Sequence, residues 1–486
     1  MNIRNLLFAL LLFPVMIQSC KKDENDPLLL HIVCEDFRPF NYMEDGQLTG
    51  ITVDLVDSIM FRMGQSLPEI EVSNNWEASL ETVKSSSNGM IFTTVMTAER
   101  KEEFQWVGPV MIATTGFVGM KNHSVSIETF EAAKQLNAVG VVNGYSTAEI
   151  LEQAGFDNLI EYETINEAII ALYDGTLPAL FDLNHSIRAI ATSIGKDAEL
   201  LCDLYNHSSV QGFLAFSPRV TPSVIDAWQE ELDRLKTDGI VQQIYDRYLP
   251  GTKAPGLLTI YTEENQPQSF RNSRGEITGS SVEIVQEMMK EMPREEPITI
   301  TAWSDAYEQI LLIPNTMAFS TLRSEQREAL FHWIGPVCRK NYCFFVNATT
   351  TRIFHDLEEF KSLDKIGVPR GWASEEELIA LGFSNLVAGN TPRDVFEMLM
   401  TGAVNAAVLN DIAITTLARE TGYQAADVRK EYTLSSGDTY LAFNLETKSS
   451  YIQEWQQAFE KIRSNGTFAT IWKKWYPDLD VPLSEN

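Results

Sequence analysis

The chain has 486 residues, 44% of them hydrophobic and 10% aromatic. That is too much chain for one compact core and too apolar for disorder. Lys and Arg number 38 against 67 Asp and Glu, a formal charge of −29, and a surface so acidic argues against a nucleic-acid partner.

In chain order, residues 1–19 read as a targeting signal. Arg4 supplies a positive start, and Leu6–Ile17 is an apolar run too short to span a bilayer of about 30 Å. The segment ends "IQSC" at Cys20. A small residue before a cysteine, after such a run, resembles the lipobox of bacterial lipoproteins and implies lipid on Cys20. An ordinary signal peptide followed by an unrelated cysteine gives the same pattern. Residues 20–28 are charged and lack apolar periodicity, as a flexible tether would. The expected location is the cell envelope, lipid-anchored and facing the periplasm or the surface.

Residues 29–250 and 257–478 read as two copies of one domain. "FQWVGPV" at Phe104–Val110 returns as "FHWIGPV" at Phe331–Val337, an offset of 227 residues. At the same offset Val139–Leu159 returns as Ile366–Leu386, "FLAF" (Phe213–Phe216) as "YLAF" (Tyr440–Phe443), and Gly239–Pro250 as Gly466–Pro477. "GTKAPG" at residues 251–256 has the Gly/Pro punctuation of a linker. Within the first copy the apolar segments "LHIVCED", "EIEVS", "MIFTTV", "NAVGVV" and "PALFDL" are predicted strands. Helical patterns fall between them, such as Thr52–Gly64. The second copy repeats the order. Strand–helix alternation predicts an α/β fold with largely parallel sheets, whose ligands sit at strand carboxyl ends.

One position in each copy invites an anion. In "TTVMTAERKEEF" a strand ends, Thr97 is placed to cap a helix, and Arg100 falls in its first turn. Helix-start amides and a planar guanidinium together suit a carboxylate. "STLRSEQREALF" repeats the design with Ser324 and Arg327. On spacing alone, an exposed arginine pairing with a local glutamate fits as well.

The order "CEDFRPFNYMEDGQLTGITVDLV", a Trp-led helix, "TAERKEEFQWVGPV", "VGVVNGYSTAEIL" and "DGIVQQIYDRYLP" resembles the periplasmic solute-binding proteins of family 3, the polar amino-acid binders of ABC importers. The resemblance spans both copies. It implies two tandem Venus flytraps, each of two α/β lobes joined by two crossover strands and closing on an amino-acid-like solute. It implies that Arg100 holds the solute's carboxylate, with Thr94 and Thr97 nearby. Asp36 and Phe37 would stand at the rim, Trp76 would pack on the solute, and Asn143, Gly144 and Tyr145 would touch it from the second lobe. Asp182 or Asn184 would receive its ammonium. In the second copy the matching positions are Glu264, Asn265, Trp303, Arg327, Arg370, Trp372 and Asp411. Two departures stand out. The hydroxyl that the family carries five residues before the arginine is Val95 or Leu322 here, and Asn265 replaces the rim aromatic. They leave open a larger or more anionic ligand, or one copy serving as scaffold.

The resemblance also implies a partner, either an ABC permease or a sensor protein. Tandem flytraps occur in sensor kinases, and the fold hosts cyclohexadienyl dehydratases, so a sensory lipoprotein and an enzyme are the alternatives to uptake. No cofactor is expected. The histidines form no metal-spaced cluster, and neither a GxSxG elbow nor a GxxxxGK loop occurs. Acid runs such as "EEE" (375–377) read as solvated helix faces. Cys338 and Cys343 could pair only if the backbone between them bends.

Overall fold

The computed structural model describes residues 30–73, 75–122, 125–127, 130–143, 145–272, 274–292, 295–477 and 479–482. The signal segment, Cys20, the tether 20–28 and Gly144 lie outside the described residues. The first unit contains β1 (His31–Glu35), a hairpin β2 (Tyr42–Glu44) and β3 (Gln47–Thr49), β4 (Glu71–Ser73), β5 (Gly89–Val95), β6 (Gln105–Met120), β7 (Val139–Val142), β8 (Leu159–Tyr162), β9 (Leu180–Leu183) and β10 (Leu201–Phe216). Apart from the hairpin, the strands form one sheet in the order β4-β1-β5-β10-β6-β9-β7-β8.

The pairing divides that sheet into two lobes. β1 runs parallel to β4 and β5, and β7 runs parallel to β8 and β9. Between these halves lie β6 and β10, 16 residues each and antiparallel to one another, roughly 50 Å long at about 3.3 Å per residue. The near end of β10 pairs with β5 and the far end of β6 with β9, so the chain crosses from lobe to lobe on these two strands. A Trp228- and Tyr245-centred core packs the first lobe, and Phe117, Phe130 and Phe181 pack the second.

The second unit repeats this: β11 (Thr259–Thr262), a hairpin β12 (Phe270–Arg271) and β13 (Ile277–Thr278), β14 (Ile298–Ile300), β15 (Thr316–Leu322), β16 (Phe331–Asn347), β17 (Ile366–Pro369), β18 (Leu386–Gly389), β19 (Ala406–Asn410) and β20 (Val428–Asn444). Its sheet order is β14-β11-β15-β20-β16-β19-β17-β18, the same topology strand for strand.

The repeated heptamer has a structural task at the mouth of the crossing. The indole of Trp106 donates to the carbonyl of Lys101, and that of Trp333 to the carbonyl of Glu328, tying the preceding turn to the crossover in both units. A Cβ on Gly108 would sit 2.4 Å from the ring of Phe213, and one on Gly335 2.6 Å from that of Tyr440. Heptamer glycine and "FLAF"/"YLAF" aromatic are therefore two halves of one contact. Gly108→Ala is expected to destabilise the first unit by about 1–3 kcal/mol through overpacking. Chemical denaturation would measure it, and an unchanged midpoint would refute the contact's importance.

Contacts join the units. Gln211 on β10, buried, donates to the Tyr261 hydroxyl (2.7 Å) and accepts from Thr259 Oγ1 (3.2 Å), both on β11. The segment 251–256 is held against the first unit, with Gly256 O accepting from Lys236 Nζ (2.8 Å) and Thr252 O from Gln242 (2.9 Å). Cys338 and Cys343 lie on one strand, roughly 16 Å apart along it, beyond disulfide reach. Both are free thiols, as are Cys34 and Cys202. Among the described residues no helix is long and apolar enough to cross a membrane.

Candidate functional site

In the first unit the strand ends converge on the gap between lobes. β5 bends at Thr93, whose φ of 62° is left-handed and costly for a β-branched residue. Its hydroxyl donates to Asn41 Oδ1 at 2.6 Å and lies 3.0 Å from Thr52 Oγ1, bonds that hold the bend. Ser320 repeats it with φ 61°. Thr97 then caps Ala98–Lys101 by accepting from the amide of Arg100 (3.2 Å), as predicted. The helix is a single turn, so its dipole adds little and the guanidinium carries the positive charge.

Arg100 is half-buried and reaches the carbonyl of Val95 at 3.4 Å. Among the described residues it has no carboxylate partner. At the end of β1, burial pushes the Glu35 carboxyl up to about 7; adjacent Asp36 raises it further, while Arg100 pulls it back. Across the gap Asp182, at the end of β9, is buried, and burial alone pushes its carboxyl up to about 7. One oxygen accepts from the Leu183 amide (2.6 Å); the other, also buried, has no partner among the described residues. Tyr145 links the two sides. Its phenol is raised by burial first and then by the charges of Asp182, Glu35 and Asp36, so it lies within electrostatic reach of both lobes.

The other predicted residues fall around this group or away from it. Phe37 stacks on Phe40 with ring centres 5.4 Å apart, and half-buried Trp76 packs against Val33, Leu80 and Phe104. Thr94 is fully buried, its hydroxyl unpartnered among the described residues. Asn143 is exposed. Asn184 donates to Asn206 Oδ1 on β10 (2.8 Å) and lines a different hollow of about 720 Å³ with His185 and Arg188. Of the two register alternatives, Asp182 is the one beside Tyr145.

The second unit's gap is shut. Glu263, Trp303, Arg327, Lys340, Tyr342 and Trp372 line a space of only about 10 Å³, barely room for one water. Arg327, 2% exposed, grips both oxygens of Glu376 through Nε (3.2 Å) and Nη2 (2.7 Å), and Nη2 also donates to Gly371 O (2.9 Å). Its guanidinium lies 4.5 Å over the Tyr307 ring and 5.9 Å over Trp303. Trp303 donates to Gly371 O (2.9 Å), Trp372 to Glu263 Oε2 (2.9 Å), and Asn410 to Asn265 Oδ1 (3.3 Å). Each of these bonds joins the first lobe to the second. Glu263 is raised to about 7 by burial, against the pull of buried Lys340.

Besides Asn265, three predicted positions stand outside this lining. Glu264 is exposed and accepts from the Arg271 amide, Arg370 is exposed beside Asn390, and Asp411 accepts from the Asn341 side chain on β16 (2.7 Å). The predicted Ser324 cap does not form. Arg327 sits in a turn, a single 3₁₀ turn (Glu328–Leu330) follows, and the Ser324 hydroxyl has no partner among the described residues. Arg327 is turned into the gap instead.

The expectation that "EEE" is a solvated face also fails. Glu375 accepts from the Gly371 amide (2.5 Å), Glu376 from Arg327, and Glu377 from Ser435 Oγ (2.7 Å). Glu35, Glu263, Glu376 and Lys340 escaped the sequence reading. Glu35/Glu263 and Glu149/Glu376 recur between the copies, and that recurrence was the available signal.

The bacterial extracellular solute-binding proteins, family 3, match residues 29–251 and again residues 258–478. The chain belongs to that family. A family relative, the "Probable histidine-binding protein" of Campylobacter jejuni, is 23% identical over 236 residues, 47% of this chain and 88% of the relative. Among solved structures, the arginine-, lysine-, histidine-binding protein ArtJ of Geobacillus stearothermophilus is 22% identical, covering 47% of this chain and 98% of that one (TM-score 0.36). The periplasmic domain of B. pertussis BvgS, 15% identical, covers 93% of this chain and 91% of its own (TM-score 0.38). This family 3 chain is thus two solute-binding-protein-like domains in tandem, and the gap of the second is filled by its own side chains.

Proposed function

We propose that the first unit binds a small amino-acid-like solute that carries a carboxylate and at least one cationic group, by closure of its two lobes. The observation that carries this reading is the placing of Arg100, which has no carboxylate partner among the described side chains, near Glu35 and Asp36 in its own lobe and across the gap from Asp182. Arg100 grips the carboxylate as a two-pronged donor. Asp182 takes the ammonium, and Glu35 with Asp36 favours further positive charge on the solute. Phe37 and Trp76 supply apolar contact, while Thr94, Thr97, Asn143 and Tyr145 supply polar contact. Closure expels water and strengthens each charged bond. The histidine-binding relative supports an amino acid as the ligand class. The protein acts in binding rather than catalysis, held at the membrane by lipid on Cys20 and handing solute to an ABC-type permease. A sensory role is the second reading. It is favoured by the buried Gln211–Tyr261 bond, through which a hinge movement of the first unit would reach the second.

A thermal-shift screen of arginine, lysine, histidine, glutamine, glutamate and short peptides tests this. Basic amino acids should stabilise the first unit most, and no shift with any of them would refute the reading.

The acid pKa values set a pH dependence. The ammonium needs an ionised Asp182, whose carboxyl in the empty site is raised to about 7. Affinity should therefore be flat above pH 8 and fall as pH drops through 7, by up to about tenfold per unit for one proton released. Asp182→Asn should weaken binding and remove that part of the slope, leaving any contribution of Glu35. Calorimetry across pH 5.5–8.5 would measure it; an unaltered slope in Asp182→Asn would contradict the assignment.

A further inference from the structure

We propose that the second unit is self-latched: its own Glu376 stands where a solute's carboxylate would sit on Arg327, so this unit is closed without solute and serves as a fixed body for the first. Two observations carry this independently. One is the occupation of the guanidinium. Nε and Nη2 of Arg327 already hold both oxygens of Glu376, and the side chain is sealed by Gly371 O, Tyr307 and Trp303. The other is the missing partner. In the first unit Gly116 on β6 pairs with Asp182 on β9; in the second, Cys343 on β16 pairs with Leu409 on β19 in the same register. The position that offers a carboxylate to an ammonium in one unit is a fully buried leucine in the other.

The remaining buried groups are matched internally. The Glu263 carboxylate takes hydrogen bonds from Trp372 Nε1 and Asn265 Nδ2 (3.3 Å), and Lys340 lies close enough to favour its charge. What is left is about 10 Å³, too little for any amino acid. In the second unit Glu376 is joined by Leu409 in place of Asp182 and by Trp372, which replaces Tyr145 and reaches Glu263.

The fixed body has something to hold. The hinge strand β10 of the first unit is bonded through Gln211 to Tyr261 and Thr259 of the second. Lys101 of the first unit is likewise bonded to Leu312 O (2.8 Å) and Glu446 (2.6 Å) of the second. One lobe of the first unit is thereby moored while the other swings.

Amide hydrogen exchange on the full chain tests this, following residues 370–378 of the second unit and 95–103 of the first in the same samples. In the wild type, exchange at 370–378 should not change with arginine, lysine, histidine, glutamine or glutamate at millimolar concentration. In Glu376→Ala it should quicken about fivefold, as expected for a lost, partly screened charged pair, and propionate should slow it again by filling the vacated anion position. Glu376→Gln, which keeps the shape, gives the same reading should the alanine variant fold poorly. Protection of 370–378 by any of these amino acids in the wild type would overturn the proposal, as would unchanged exchange in both variants. Segment 95–103 reports solute binding by the first unit separately, so failure there leaves the latch standing or falling on its own data.

Discussion

Arg100→Ala is expected to lower solute affinity by roughly 100-fold or more, about 3 kcal/mol, while leaving the fold intact. The magnitude follows from removing one partner of a charge pair that closure desolvates, because the solute's carboxylate is then buried without its donor. The fold should survive because Arg100 is half-buried and makes only a long bond, 3.4 Å, to the Val95 carbonyl. Arg100→Lys should fall between, losing about tenfold, since an ammonium keeps the charge but not the planar fork. Calorimetric titration with the best solute from the screen would measure both. Wild-type affinity in Arg100→Ala would remove the first unit's proposed site.

Arg327→Ala should behave in the opposite way, costing stability rather than affinity. Removing this side chain strips Glu376 of its donor, takes one of two donors from the Gly371 carbonyl, and opens a void between Tyr307 and Trp303. The expected loss in the second unit is about 3 kcal/mol. Glu376 itself is more accessible, its side chain 38% exposed against 2% for Arg327, so solvent screens its share of the pair. Glu376→Ala should accordingly cost less, about 1 kcal/mol. Urea unfolding of each variant, with the second unit's transition followed separately, gives the order. A stability loss larger for Arg100→Ala than for Arg327→Ala would contradict the division of roles between the units.

Much of this was legible in the chain because duplication is a global signal. The constant offset exposed two equivalent units, and alternation of strands and helices exposed their α/β class. The Thr97 cap was legible because N-capping is local chemistry between a hydroxyl and an amide three residues on. The crossover strands were not legible as strands of 16 residues. β10 runs through "YNHSSVQG", polar and interrupted, and is held by pairing with β6 from about a hundred residues earlier in sequence. The fate of Ser324 was hidden for a related reason. A cap predicts a helix, but the arginine that follows is claimed by a partner on another lobe, and tertiary bonds outweigh a one-turn propensity. Glu376 looked like one acid among three on an exposed helix, and only the placement of Arg327 distinguishes it. Glu35 was overlooked beside Asp36, although it is the more buried of the two and burial pushes its carboxyl up to about 7.

The stoichiometry of solute binding to the full chain, measured by titration calorimetry in the wild type, in Arg100→Ala and in Arg327→Ala, bears most directly on the proposed division of labour. One solute per chain is expected, with binding lost in Arg100→Ala and retained in Arg327→Ala. Two solutes per chain, or a single site that survives Arg100→Ala and disappears in Arg327→Ala, would contradict it.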